Sequence, residues 1–218
     1  MSAMDASTLP DPLSILVVDD HPIVVSGIRA MLSHNTDITI TAVNSGERAI
    51  DDYPHVNPDV VVLDINLPGQ SGFETARRLL EIDPDAALLV FSMNDDPIFA
   101  ARAIESGAKG YITKNDDPDD FIAAIKIVAA GGVFLLPKLA RRLAYYKSAS
   151  TPNPLESLNA REIEILRLLG KGKSIAEIAH TLDVSTKTIA NTSSLMKNKL
   201  GARSPMDLVR IALEHNLA

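Results

Sequence analysis

Asp64 closes the run VVVLD at positions 60–64, an apolar segment bounded by turn residues that has the pattern of a strand buried on both faces. An acid at the carboxyl end of such a strand can cap a helix, ligate a metal, act as a general base or act as a nucleophile. Three further apolar runs end in polar groups: 15–18 in Asp19 and Asp20, 88–91 in Ser92, and 110–113 in Lys114. Functional groups in an open parallel sheet gather at the carboxyl ends of its strands, and neighbouring strands lie about 5 Å apart. Three carboxylates, a hydroxyl and an ammonium can therefore converge in one crevice. A lone aspartate in such a place is usually a cap or turn residue, but capping does not explain a complementary set at four strand ends.

Three carboxylates held together repel one another unless a cation sits among them, and an all-oxygen set that retains waters suits Mg²⁺. Such a cation polarises a phosphoryl oxygen, while a carboxylate can itself attack phosphorus to form an aspartyl phosphate. In that chemistry Lys114 neutralises charge on the transferred group and Ser92 donates a hydrogen bond to it. The chain has no glycine-rich P-loop and no His or Cys pair at catalytic spacing. His21, directly after the two acids, stands near a helix start and is read as a surface or capping residue.

The elements that must position these groups alternate. Five apolar runs, at 15–18, 38–43, 60–63, 88–91 and 110–113, are separated by segments with helical spacing, such as Ile23, Ile28, Met31 and Leu32, or Phe121, Ile122, Ile125 and Val128. Five βα repeats predict an α/β domain with a parallel sheet covered by helices on both faces. The second run alternates most and predicts an edge strand. Residues 132–157 break the rhythm, with a short helix expected at 139–146 and a Pro- and Ser-containing linker after it.

From Asn159 onward every signal is helical. Asn159 with Glu162, Ser174 with Glu177, and Ser204 with Asp207 have capping-box spacing, and Gly170, Gly172 and Gly201 stand where helices should stop. Helices are predicted at 160–169, 175–182, 186–200 and 205–213. The tight connection at 183–185 is that of a helix-turn-helix. The third helix offers Lys187, Thr188, Asn191, Ser194, Lys197, Asn198 and Lys199 for contact with DNA, while Ile189, Leu195, Met196 and Leu200 are expected to anchor it. A solvated face on a small bundle is the alternative reading.

Charge divides along the same line. The whole 218-residue chain carries −7, but residues 1–150 carry −9 and residues 151–218 carry +2, which suggests two modules with different partners. The absence of Cys excludes a disulfide framework and thiolate metal sites. The stretch MSAMDASTLPDP lacks the pattern of a signal peptide, and no apolar run approaches the roughly 20 residues that cross a bilayer. The expectation is a soluble, cytoplasmic protein with no membrane partner.

VVDDHP, LDINLPGQSG, the Ser of FS, and GAKGYITK resemble, in order and spacing, the receiver domain of bacterial response regulators. LNAREIEILRLLGKGKSIAEIAHTLDVSTKTIANTSSLMKNKLGARS resembles the four-helix LuxR-type DNA-binding domain, so the whole chain is similar to the NarL/FixJ class. The resemblance implies a flavodoxin-like (βα)5 receiver at 13–131 with strand order 2-1-3-4-5, a linker at 132–154 and a helix-turn-helix domain at 155–218. It implies Asp64 as phosphoacceptor, Mg²⁺ held by Asp20 and Asp64 with Asp19 through water and the Asn66 backbone carbonyl, and Ser92 and Tyr111 as the switch. A histidine kinase, double-stranded DNA and a second copy of the chain are the implied partners. Two positions depart from the pattern: Ala190 stands where the family usually has Lys, and Thr192 where it usually has His.

The expected function is a phosphorylation-controlled transcriptional regulator and not an enzyme. The enzyme alternative, a Mg²⁺-dependent phosphohydrolase with an aspartate nucleophile, generally needs a second Asp where this chain has Asn66. A DNA-binding protein indifferent to phosphorylation is the third reading.

Overall fold

In the computed structural model, which describes residues 12–33, 37–68, 70–148, 154–215 and 217, six parallel strands form one sheet. They are β1 (Leu13–Val18), β2 (Ile38–Val43), β3 (Val60–Leu63), β4 (Leu88–Ser92), β5 (Gly110–Thr113) and β6 (Phe134–Leu135), in the order β2-β1-β3-β4-β5-β6. Five of them and their order are those predicted. The sixth is too short for any period to show in sequence, and it pairs with β5.

The four residues of β3 are all buried, whereas β2, on the edge, buries only Val43 fully. Helices α1 (Pro22–Leu32), α2 (Gly46–Val56), α3 (Gly72–Ile82), α4 (Pro97–Glu105) and α5 (Pro118–Ala129) form the crossovers. Because alternate strand residues face opposite ways, Ile15, Val17, Val60 and Val62 share a core with Ile28 of α1 and Phe121 of α5. Side-chain caps start four of the crossover helices, from Ser45, Ser71, Asp96 and Asp117. Helix α6 (Pro137–Ser148) is longer than the segment expected at 139–146 and lies against α4, with Leu139 and Leu143 buried one turn apart. Residues 132–148, read from sequence as linker, thus add a strand and a helix to the first compact unit, Met1–Ser148. Linker residues 149–153 lie outside the described residues.

The second unit, Ala149–Ala218, holds α7 (Ala160–Gly170), α8 (Ile175–Thr181), α9 (Thr186–Leu200) and α10 (Pro205–Glu214). All three expected capping boxes are closed in both directions. Asp183, with φ of 48°, makes the left-handed step between α8 and α9, and the Val184 N–H returns to the Ala179 carbonyl at 3.0 Å. Ile189 and Met196, two turns apart, are the buried residues of α9. Leu195, expected beside them as an anchor, is instead 58% exposed. One residue of helix is a rotation of about 100°, so a stripe through 189 and 196 turns 195 outward.

Candidate functional site: an acidic pocket and a reading helix

Val18 of β1 and Leu63 of β3 are register partners, so the next residue on each strand, Asp19 and Asp64, emerge side by side. Backbone bonds hold both: the Asp64 N–H donates to the Val18 carbonyl at 2.9 Å and the Asp19 N–H to the Val43 carbonyl at 3.1 Å. The Lys114 N–H donates to the Ser92 carbonyl at 2.8 Å, which places the lysine at the same end of the sheet. Its Nζ reaches Asp19 Oδ2 at 2.6 Å and Asp64 Oδ2 at 2.5 Å, and it lies 5.9 Å from the centre of the Phe91 ring. Asp64 Oδ1 accepts the Asn66 N–H at 2.9 Å.

The side chains of Asp19, Asp64 and Lys114 are each less than a tenth exposed. Burial lifts the Asp64 carboxyl above its ordinary range, and Lys114 only partly opposes this. Burial also works against the Lys114 charge, but the Asp64 and Asp19 carboxylates outweigh it, and the ammonium pKa moves up. One ammonium thus serves two buried acids, with Asp20 beside them. Asp20 Oδ1 is itself buried without a hydrogen bond, although His21 Nδ1 lies 3.0 Å away. The pocket is short of positive charge and rich in oxygen donors. Asp19, Asp20, His21 and Asp64 offer ligand atoms all within 4.8 Å of one another, a set that fits a small divalent cation.

The switch candidates lie next to this pocket. Ser92 and Tyr111 are fully buried, and the Tyr111 hydroxyl donates to the Asn94 carbonyl at 2.7 Å. The Asn94 N–H in turn donates to Ser92 Oγ at 3.2 Å. Burial drives the Tyr111 pKa up, opposed by a hydrogen bond from Ser92, so the phenol stays neutral. One residue further, the Asp95 carbonyl accepts from Arg142 of α6 at 2.8 Å.

On α9, Lys187, Thr188, Asn191, Ser194 and Asn198 are exposed and Lys197 is half-buried. Lys199 is differently placed. Its Nζ lies 2.7 Å from Glu162 Oε2, a buried carboxylate that also accepts the Asn159 N–H to close the capping box of α7. Arg161 of α7 donates to the Leu182 carbonyl at 2.6 Å, tying α7 to the end of α8.

Two matches to known families cover both units. Residues 15–126 match the response regulator receiver domain, and residues 156–212 match the bacterial regulatory proteins of the luxR family. The chain is a response regulator of the NarL/FixJ class. It is similar to the methanol utilization control regulatory protein MoxX of Paracoccus denitrificans, with 35% identity over 200 residues that span 91% of this chain and 90% of that protein. The transcriptional regulatory protein DegU of Brevibacillus brevis is 32% identical over 215 residues, spanning 90% of this chain and 91% of that one. A solved LuxR-family two-component response regulator from Aurantimonas sp. SI85-9A1 is 35% identical, covers 62% of this chain and 97% of that chain, and has a TM-score of 0.59. Among the described residues, no helix of this response regulator is long and apolar enough to cross a membrane.

Sequence reasoning missed three participants. His21 is exposed at the N-cap position of α1, in keeping with its reading as a surface residue, but it makes no side-chain cap and its ring bonds the Asp19 carboxylate at 3.2 Å, a contact not foreseen. Adjacency to two acids was the available signal. Asn94 is buried and bonds both Ser92 and Tyr111, and its position two residues after Ser92 was its only mark. Gly72 closes the LDINLPGQSG motif, but no local reason for a glycine showed in sequence, because the tertiary approach of α3 to the loop after β3 requires it.

Proposed function

We propose that this response regulator carries a transient phosphoryl group on Asp64 and converts it into altered dimerisation and DNA binding. The observation that carries the reading is the buried Asp64 carboxylate, held between Lys114 and the Asn66 N–H beside two further acids, in a chain whose second unit presents an exposed polar helix face. An Asp64 oxygen attacks the phosphorus of a phosphohistidine on the partner kinase; the P–N bond breaks, and the imidazole leaves with a proton. Asp19, Asp20, Asp64 and the Asn66 carbonyl would hold Mg²⁺, which would supply the positive charge that the transferred oxygens need.

Lys114 turns from the carboxylates towards the phosphoryl oxygens. Ser92, whose hydroxyl otherwise accepts the Asn94 N–H, donates to them as well, so the hydrogen-bonded set Ser92, Asn94 and Tyr111 must repack. The response is a population shift, limited by the difference in phosphate affinity between the two states. The protein acts in the cytoplasm on double-stranded DNA, as a homodimer when active. The receiver is assigned to 13–131, with β6 and α6 packed onto it up to Ser148, and the DNA-binding module to 155–218. Asn66, where a phosphohydrolase would need a second acid, favours a carrier over an enzyme that turns over.

Gel-shift titration against a selected duplex, with and without acetyl phosphate and Mg²⁺, tests the reading. Affinity should rise about tenfold on phosphorylation and fall steeply with salt. Equal affinity in both states would leave only phosphorylation-independent binding. Steady release of phosphate from small phosphomonoesters would instead favour the hydrolase.

The lysines of α9 divide by role. Lys187→Ala should reduce the salt slope of DNA binding by about one, as loss of a phosphate contact does. Lys199→Met should leave that slope unchanged and lower the stability of the second unit by about 1 kcal/mol, since Glu162 loses its ammonium but keeps the Asn159 N–H. An equal loss of slope in both variants would put Lys199 on the DNA instead.

A further inference from the structure

We infer that Leu195 is a sequence-reading residue that selects thymine by its C5-methyl group. The inference rests on the reading of α9 as the DNA-contacting helix and goes beyond it to what one base pair must be.

Leu195 is 58% exposed on α9. Exposure of a single leucine is ordinary by itself. Its neighbours on the helix surface give it meaning. Asn191 lies one turn before it, Asn198 three residues after it, and Thr188 two turns before it, and all three are exposed. At about 100° per residue, Leu195 stands only about 40° from Asn191, inside the polar arc and away from Ile189 and Met196, which hold the helix to its unit. The exposed face of α9 is therefore polar around a branched apolar side chain.

Base edges in the major groove are almost all hydrogen-bond donors and acceptors. The apolar exception among the four standard bases is the thymine C5-methyl. A leucine pressed onto any other edge would strip water from polar atoms and offer nothing in return, so Leu195 both favours thymine and penalises the alternatives. Asn191, one turn away, has the amide that pairs with N6 and N7 of adenine. The turn bearing Asn191 and Leu195 is thus chemically matched to A·T pairs.

The test uses the full chain, treated with acetyl phosphate and Mg²⁺, and a duplex selected from a random pool. Each thymine of one half-site is replaced in turn by deoxyuridine, which keeps the pairing and removes the methyl group. At one position uracil should weaken binding of the parent about fourfold, the worth of one buried methyl. The Leu195→Ala variant should bind the thymine and uracil duplexes equally at that position, with a parent-like melting temperature because the side chain is exposed. The proposal is overturned if no uracil substitution weakens the parent by as much as about twofold, if the sensitivity persists in Leu195→Ala, or if the selected half-site lacks thymine. Failure to select any duplex, or binding indifferent to salt, would sink the DNA-binding reading itself and the proposal with it.

Discussion

An Asp64→Asn variant should fold and take up no phosphoryl group from acetyl phosphate, under conditions in which the parent is labelled. A neutral amide oxygen is a far weaker nucleophile than a carboxylate, and the substitution removes the charge that Lys114 and a cation would jointly hold in the pocket. Stability should not suffer. The Asp64 pKa is raised by folding, so the native state binds that proton more tightly than the unfolded chain does. Stability linked to it is present below the unfolded value and is lost as pH rises through the folded one. The variant removes a carboxylate that burial disfavours, while Lys114 keeps its bond to Asp19. The variant should melt no lower than the parent. Labelling of Asp64→Asn at the parental rate would remove Asp64 as the acceptor, whatever the melting result.

Gly72→Ala should damage the same pocket from behind. A Cβ at position 72 would lie 2.1 Å from the Asp64 carbonyl oxygen and 2.6 Å from the Ile65 Cα. Both are backbone atoms, so no rotamer change relieves the clash. The Gly72 N–H also donates to the Ile65 carbonyl at 3.1 Å, which clamps the start of α3 to the loop that follows Asp64. Either α3 or that loop must move, at a cost of about 3 kcal/mol in stability. A displacement of about 1 Å at the acceptor should slow phosphoryl uptake about 100-fold. Urea unfolding of the full chain and its rate of labelling measure the two effects. A variant within about 0.5 kcal/mol of the parent with normal labelling would show that the approach is not tight in solution.

Much of the architecture was legible in the chain itself, because the signals were local. Hydrophobic runs of strand length alternating with helical spacing specify a parallel α/β unit, and the three capping boxes are encoded within four residues each. The acidic pocket was legible for a related reason. Parallel strands in register bring their carboxyl ends together, so acids placed after Val18 and Leu63 must meet. Family resemblance then favoured a phosphoacceptor that also ligates Mg²⁺ over the capping and general-base roles that the run at 60–64 alone left open.

Other features depended on what packs against what. β6 is two residues long, and α6 joins the first unit only because Leu139 and Leu143 find a partner surface on α4. The orientation of α9 follows from which two apolar residues seat most deeply, so Leu195 faces outward although its type suggested the reverse. Lys199 resembles its neighbouring lysines until Glu162, 37 positions away in sequence, captures it. By itself the sequence determined the elements, their order and the acids at the strand ends, since periodicity and capping act within a few residues. Only the tertiary structure decided that His21 meets Asp19, that Lys199 pairs with Glu162 and that Leu195 faces outward, because burial and ion pairing depend on how side chains pack in space.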